Sequence, residues 1–418
     1  MIKQYKVFYG WWIVGASFMI FLFNSGVVIQ GFTALFEPIA NEFNWSYAQV
    51  SLAASLRGFE VGILAPLLGF VVDRWGPRRL IFSGGILISI GLLILSHVNS
   101  LFDYYLAYAL VGIGMSGIGS SVLFAAVANW FRRRVTMAIG IAACGVGFSG
   151  LMVPLITWLI DISDWRKATF ILGLGVVIVN LPLSIVMRHK PEQYGYLPDG
   201  ETITASAADD LSGRPLNVEV NVGTMQALTS RDFWHIALTF LCQFLIVSAV
   251  LTHVMPYLSS VGIARSTSSL VASVLSIGSI FGRLSFGWLG DRMDKIMVAI
   301  VGLILVSSGM IFFSFVSMER MWLLVPFIIC HSIGWGGSVT IRAALIREYF
   351  GRLRFGTING FADGIAMMGV ISGSPLAGWV FDKWGAYHNI WYAFIVLGIV
   401  GAFIMGTIPR RGKSISIA

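Results

Sequence analysis

The sequence is short of charged residues. Only 11% of its 418 residues are Asp, Glu, Lys or Arg, while 57% are hydrophobic. A soluble domain carries roughly 25% charged residues, so this composition is that of a polytopic membrane protein. The net charge of +8 does not indicate a nucleic-acid partner, because the basic residues are not gathered into one binding surface.

Cysteine is also scarce. Cys144, Cys242 and Cys330 lie in separate apolar runs, so they indicate no disulfide framework. The six histidines show no metal-ligand spacing, and the sequence contains no catalytic triad or phosphate-binding loop. We therefore predict no metal, no cofactor and no enzymatic activity.

Long apolar runs are abundant. A membrane-spanning helix needs about 20 apolar residues. Twelve segments meet this requirement: 9–36, 46–72, 78–97, 102–130, 135–160, 165–187, 231–260, 267–290, 294–316, 321–346, 355–381 and 388–408. We predict an all-α membrane protein with twelve transmembrane helices in two pseudo-symmetric six-helix halves, 1–187 and 231–418. The polar stretch 188–230 is predicted to be a cytoplasmic linker between them.

The distribution of Lys and Arg predicts the orientation. Twenty of these residues fall on one side of the predicted spans and five on the other. Since cytoplasmic loops carry the excess of basic residues, both termini are predicted to be cytoplasmic. We expect a multi-pass protein of the cytoplasmic membrane, in contact with membrane lipid.

One motif occurs at the same place in both halves. A Gly is followed four residues later by Asp-Arg at the close of an apolar run, and the second copy stands 218 residues after the first. Such duplication is typical of secondary transporters. The Gly would allow close helix approach, and the Asp would accept hydrogen bonds from a neighbouring helix end or an Arg. We predict a gating or conformational role for Gly69, Asp73, Arg74 and Arg78 in the first half and for Gly287, Asp291 and Arg292 in the second.

Charged residues inside spans are functional candidates because each is costly to keep there. Arg283 lies eight residues before Asp291, roughly 12 Å from the cytoplasmic end. There it could hold a substrate carboxylate with two parallel hydrogen bonds, or it could fix a helix contact within the protein. Asp363 lies at similar depth and could neutralise Arg283 or take a proton. The alternative is a structural Asp bonded to backbone or to Asn359.

Two further groups of residues are weaker candidates. Arg57 and Glu60 share a helix face, so we expect an ion pair that gates or braces the outer half of the bundle. Arg342, close to the cytoplasmic end of its span, is expected at a gate or snorkelling to the interface. Four polar or amphipathic residues are candidates for lining the substrate cavity or, alternatively, for interhelical hydrogen bonds: Asn24, Gln30, His331 and Trp335.

These features resemble a known family. The stretch 69–79 resembles the loop signature of the major facilitator superfamily. The stretches 9–14, 130–145 and 279–287 resemble the monocarboxylate transporter and oxalate–formate antiporter branch. The resemblance covers all twelve spans. It implies the major facilitator fold, alternating access and Arg283 as the ligand of a substrate carboxylate.

The chain departs from that branch at two positions. Monocarboxylate transporters typically place an Asp four residues before the Arg, where this chain has Ser279. Asp363 is therefore our substitute candidate for proton coupling. The antiporter has a Lys in span 11, but residues 356–381 contain no Lys or Arg, so one midplane cation suits one carboxylate. Gln30 matches a site-lining Gln of the antiporter.

The prediction is a secondary active transporter of a small organic anion, in the first place a monocarboxylate. It would work by proton-coupled symport or by anion exchange, so protons are a further candidate partner. The runner-up is an efflux carrier for drug-like or neutral substrates in which Arg283 is structural. A membrane sensor on the same fold is a third alternative, and it would be expected to carry an added soluble domain.

Overall fold

A computed structural model describes residues 8–200 and 222–410. Within these ranges, twelve helices are long and apolar enough to cross a membrane, which confirms the predicted number of spans. They are α1 (Tyr9–Phe43), α2 (Tyr47–Trp75), α3 (Pro77–Ser96), α4 (Leu101–Trp130), α5 (Val135–Ser163), α6 (Trp165–Val186), α7 (Arg231–Ser260), α8 (Arg265–Arg292), α9 (Lys295–Ser314), α10 (Leu324–Phe350), α11 (Phe355–Trp384) and α12 (His388–Gly406).

Polar residues between the spans begin several helices. Ser46 and Gln49 form a capping box at the start of α2, and the Asp294 carboxylate accepts a hydrogen bond from the third residue of α9. Asp164 caps α6 by accepting from the backbone N–H groups of Lys167 and Arg166. These donors favour the charged form and hold the pKa of the Asp164 carboxyl below its usual range. Caps of this kind satisfy N–H groups that a helix leaves unpaired.

The chain packs into two compact units. One consists of Met1–Gly223 with Phe350–Gly364, and the other of Thr224–Tyr349 with Ile365–Ala418. The division falls within α11, whose first turns belong to the first unit. The halves 1–187 and 231–418 stay a prediction, and residues 201–221 of the predicted linker lie outside the described residues. At its described ends the linker forms short helical turns at Pro191–Tyr194 and Thr224–Leu228.

The two units repeat one packing arrangement. In the first, α3 packs closely against α4 and α6, and α1 packs against α5; in the second, α9 packs against α12. Small residues allow the closest contacts: a Cβ on Gly145 of α5 would lie 2.2 Å from the Phe18 carbonyl oxygen of α1, and a Cβ on Gly369 of α11 would lie 2.3 Å from the Leu241 carbonyl oxygen of α7. Glycine at these crossings lets the helix backbones touch.

Three helices of the first unit are interrupted near their middles. In α1, Gly26–Gln30 is π-helical, and in α5, Ser149–Leu151 forms a 3-10 turn. In α4, one α-helical segment ends at Gly117 and the next begins at Ser120. Irregular backbone inside spans is typical of transporter binding sites, and π-helical insertions are frequent at functional sites.

Candidate functional site

The first copy of the repeated motif fixes the start of α11. One oxygen of the Asp73 carboxylate accepts from the backbone N–H of Gly356 at 2.8 Å, and the other accepts from the N–H and the hydroxyl of Thr357 at 2.8 and 2.7 Å. Both donor residues lie in the first turn of α11, where helix N–H groups have no partner within the helix. The end of α2 is thus tied to a neighbouring helix end, as the motif predicts.

Gly69 permits this contact. A Cβ on Gly69 would lie 2.1 Å from the carbonyl oxygen of Gly356 and 2.9 Å from the Cα of Thr357. No side-chain carbon fits at that distance from a backbone oxygen. The four-residue spacing from Gly to Asp therefore places the close approach one helical turn from the hydrogen bonds.

Replacing Gly69 with Ala tests the requirement for close approach. The added methyl group would force α2 and α11 apart, and overpacking of this kind costs about 1–3 kcal/mol. We expect thermal unfolding of the purified protein to show a lower Tm for Gly69→Ala.

The matched control is Gly58→Ala on the same helix, where a Cβ would have no atom within 4 Å. That variant should be neutral or stabilised by up to about 1 kcal/mol, because Ala favours the helix. Equal Tm values for the two variants would contradict the close-contact account.

The other motif residues occupy the ends of their helices. Arg74 and Arg78 are exposed on either side of the turn between α2 and α3. Gly287 is buried in α8 and Asp291 is half-buried near its end. Arg292 is exposed, with its guanidinium 4.0 Å from the ring of Trp288. Their gating role stays a prediction.

Arg283 is buried in the second unit. Its side chain is 3% exposed, and its Nη1 donates to the Ser279 hydroxyl at 2.8 Å. The Ser279 hydroxyl in turn donates to the carbonyl of Ser276. At position 279 a neutral hydroxyl therefore stands where monocarboxylate transporters typically have the carboxylate of an Asp. It orients the guanidinium without cancelling its charge.

Close packing of α8 against α10 places an aromatic ring beside Arg283. A Cβ on Gly336 of α10 would lie 1.9 Å from the Ser279 carbonyl oxygen, and a Cβ on Gly282 would lie 2.3 Å from the Ile333 carbonyl oxygen. Trp335, next to Gly336, lies with its ring 5.8 Å from the Arg283 guanidinium. A cation at this distance from a Trp ring is attracted by its π system.

His331 lies one turn before Trp335 but in a different environment. It is fully buried, with its ring 5.5 Å from that of Phe327 and its Cβ against Gly309 of α9. Among the described residues, neither ring nitrogen has a hydrogen-bond partner. His331 thus packs among α9 and α10 residues, and its place in a substrate cavity stays a prediction.

Asp363 collects three donors in the first unit. Its Oδ2 accepts from the hydroxyls of Ser120 and Ser121 at 3.0 and 2.7 Å and from the Asn359 amide at 2.9 Å. The two serines open the second segment of α4, just after its interruption. Three donors to one oxygen are an arrangement that suits an ionised carboxylate. The hydrogen bond from Asn359 is the one expected if Asp363 has a structural role.

The expected ion pair between Arg57 and Glu60 is wrong. Arg57 instead donates from Nη1 to the Val28 carbonyl at 2.7 Å, within the π-helical stretch of α1, and its guanidinium lies 5.8 Å from the Phe32 ring. Glu60 packs against Gly112 of α4. Within the described residues, no ion pair joins the two side chains and the Glu60 Oε2 has no hydrogen-bond partner. The irregular backbone of α1 takes the place of the carboxylate as acceptor.

Two other expectations also change. Arg342 is only 3% exposed, and its guanidinium lies 5.4 Å from the ring of Phe244, so snorkelling to the interface is wrong. The gating role of Arg342 stays a prediction. Asn24 forms a reciprocal amide pair with Asn180 of α6, at 2.9 Å in each direction. That pair is the interhelical hydrogen bond that was the alternative to a place in the substrate cavity.

Gln30 is half-buried and donates to the Ser149 hydroxyl at 3.5 Å, which joins the irregular segments of α1 and α5.

Comparison with known proteins identifies the family. The model of the Major Facilitator Superfamily matches residues 13–341 and 254–416. The chain belongs to the Major Facilitator Superfamily. It is a transporter, and its curated relatives include monocarboxylate transporter 12 of Rattus norvegicus, with 25% identity over 94% of this chain and 84% of the relative. Monocarboxylate transporter 13 of the same species is 26% identical over 98% of this chain and 91% of the relative.

The fold is shared with solved structures of the superfamily. The fucose:proton symporter of E. coli superposes with a TM-score of 0.67 at 12% identity, over 94% of this chain and 98% of the symporter. The predicted fold class and the resemblance stated from the sequence are both confirmed.

The sequence did not indicate which residues donate hydrogen bonds to Asp363 and Asp73. Ser120 and Ser121 come 242 residues or more before Asp363 in the chain, and Thr357 comes 284 residues after Asp73. Serine and threonine are common in spans, so nothing in their local sequence marks them. The usable signal was the interruption of α4 by Gly117 and Gly119 immediately before the two serines.

Proposed function

We propose that this protein is a secondary active transporter that carries a small organic anion by alternating access. The substrate class that we favour is a monocarboxylate. The observation that carries the proposal is the guanidinium of Arg283 on α8. It is buried in the second unit and is oriented by a neutral hydroxyl. The names of the curated relatives, monocarboxylate transporters 12 and 13, support the same substrate class.

The chemistry of Arg283 suits a carboxylate. A guanidinium is planar and always charged, and its N–H groups match the two oxygens of a carboxylate. Because the side chain is 3% exposed, its field is screened less than that of a surface Arg. Trp335 provides an apolar face beside the charge. A site of one cation and one aromatic ring fits a substrate with one charge and a small apolar body.

Replacing Arg283 with Ala should abolish uptake of the substrate monocarboxylate. A charge-assisted hydrogen bond contributes about 1.5–3 kcal/mol, so loss of the anchor should lower apparent affinity at least about tenfold. Uptake of labelled lactate, pyruvate and formate into proteoliposomes measures the effect, with the Tm of each protein confirming that it is folded.

Two controls accompany that variant. Arg320→Ala removes an exposed guanidinium outside the helical core and should transport normally. Ser279→Ala keeps the charge but removes its orienting partner and should fall between the wild type and Arg283→Ala. Undiminished uptake by Arg283→Ala would contradict the anchor role, and transport of bulky neutral compounds in place of acids would favour an efflux carrier.

We further propose that Asp363 takes the coupled proton or compensates charge during transport. Its carboxylate sits beside the interruption of α4 with three donors on one oxygen. Protonation would weaken these hydrogen bonds, because it removes the negative charge that strengthens them. Proton uptake would thereby be linked to a rearrangement of α4 against α11.

Asp363→Asn should separate exchange from proton-driven uptake. The amide keeps the size of the side chain but cannot release a proton. We expect loss of uptake driven by a pH gradient while exchange of labelled for unlabelled substrate persists. The control Asp382→Asn makes the same change at an exposed carboxylate outside this cluster and should retain gradient-driven uptake. If Asp363→Asn still accumulates substrate along a pH gradient, Asp363 is not the coupling group.

The orientation with both termini in the cytoplasm is part of the proposal. It is supported by the excess of Lys and Arg on that side of the predicted spans. In this orientation the exposed Arg74, Arg78 and Arg292 lie at the cytoplasmic ends of their helices. Breaking and forming the contact between Asp73 and the start of α11 would accompany the conformational change.

A further inference from the structure

A cavity of about 700 Å³ lies in the first unit, outside the helix interior described above. It is formed where α2 ends, α3 begins and the segment after α6 passes by. The turn between α2 and α3 needs Gly76, whose φ is +81° and whose Cβ would lie 2.9 Å from the Cβ of His189. This turn places Arg74 and Arg78 on the same rim.

The charge of this cavity is of one sign. Three arginine residues line it, Arg74, Arg78 and Arg79, and its described lining contains no Asp or Glu. In the part of the chain that the structure describes, no carboxylate forms an ion pair with any of the three. Burial and the neighbouring Lys190 lower the pKa of His189 to about 4. His189 is thus neutral at physiological pH and offers a hydrogen bond rather than a charge.

Part of the lining is apolar and exposed on the surface of the spans. Phe82 of α3 is 43% exposed and Ile185 of α6 is 59% exposed, although both helices are candidate membrane spans. Trp75, at the end of α2, is 58% exposed, as is usual for Trp at a membrane interface. The cavity therefore joins a basic region at the interface to an apolar face along the spans.

We propose that this cavity binds the headgroup phosphate of an anionic phospholipid, whose acyl chains lie against Phe82 and Ile185. Arginine groups bind phosphate oxygens through paired hydrogen bonds. Basic pockets between membrane helices are suited to anionic headgroups. Free phosphate shares the charged part of this chemistry, but only a lipid uses the apolar face.

Titration of the purified full-length protein tests the site. Dioctanoyl phosphatidylglycerol, dioctanoyl phosphatidylcholine and inorganic phosphate are added separately, and bound ligand is counted by native mass spectrometry. We expect saturable binding of one phosphatidylglycerol and weaker binding of the zwitterionic lipid. Each basic residue near an anionic surface contributes about a fivefold gain in affinity, so Arg78→Gln with Arg79→Gln should weaken binding about 25-fold.

The matched control changes the same charge elsewhere. Arg231→Gln with Arg410→Gln removes two exposed guanidinium groups outside the cavity and should leave phosphatidylglycerol binding within twofold. Equal losses in the two double variants would overturn the proposal, because the binding would then follow net charge alone.

A third variant separates the lipid from a soluble anion and does not depend on removing charge. Phe82→Ala should weaken phosphatidylglycerol binding and leave inorganic phosphate binding unchanged. If phosphatidylglycerol binds no more tightly than inorganic phosphate and Phe82→Ala changes neither, the cavity is a soluble-anion site and the lipid proposal is wrong.

Discussion

A charged group inside a membrane-spanning helix is costly unless other groups in the protein solvate it. This constraint explains the hydrogen bonds of four charged side chains in the two units. Asp73 and Asp363 each accept three hydrogen bonds, and Arg283 and Arg57 each donate to a neutral oxygen. The partners are mostly backbone groups, hydroxyls and amides. These hydrogen bonds take the place of water around charged groups that lie inside the spans.

The same constraint accounts for the irregular backbone. A π-helical turn in α1 offers the Val28 carbonyl to Arg57, and the interruption of α4 precedes the two serines that hold Asp363. In the middle of a regular helix, the backbone carbonyl and N–H groups are already paired with one another. An interruption breaks some of these pairs and so creates positions that can change partners. Transport needs such changes, because the site must hold a charge in one state and release it in another.

The sequence alone was sufficient for the architecture. Apolar runs of about 20 residues fixed the twelve spans, and the repeated Gly-to-Asp spacing correctly indicated a close helix contact beside a carboxylate with helix-end donors. It was not sufficient for the pairing of charges. Arg57 and Glu60 lie three residues apart on one helix face, yet their side chains do not pair. The acceptor of Arg57 lies in the π-helical stretch of α1, and residue periodicity does not reveal that stretch. Likewise, hydropathy could not show that Arg342 is buried beside Phe244.

Binding of small acids tests the central claim, that Arg283 anchors a carboxylate, most directly. The purified protein and Arg283→Ala are heated with a panel of mono- and dicarboxylates, and the Tm is followed for each. A ligand that binds only the folded state at 100 times its Kd stabilises that state by about 2.7 kcal/mol. The account predicts a rise in Tm with a monocarboxylate that disappears in Arg283→Ala. An equal rise in both proteins, or no rise with any acid, would contradict it.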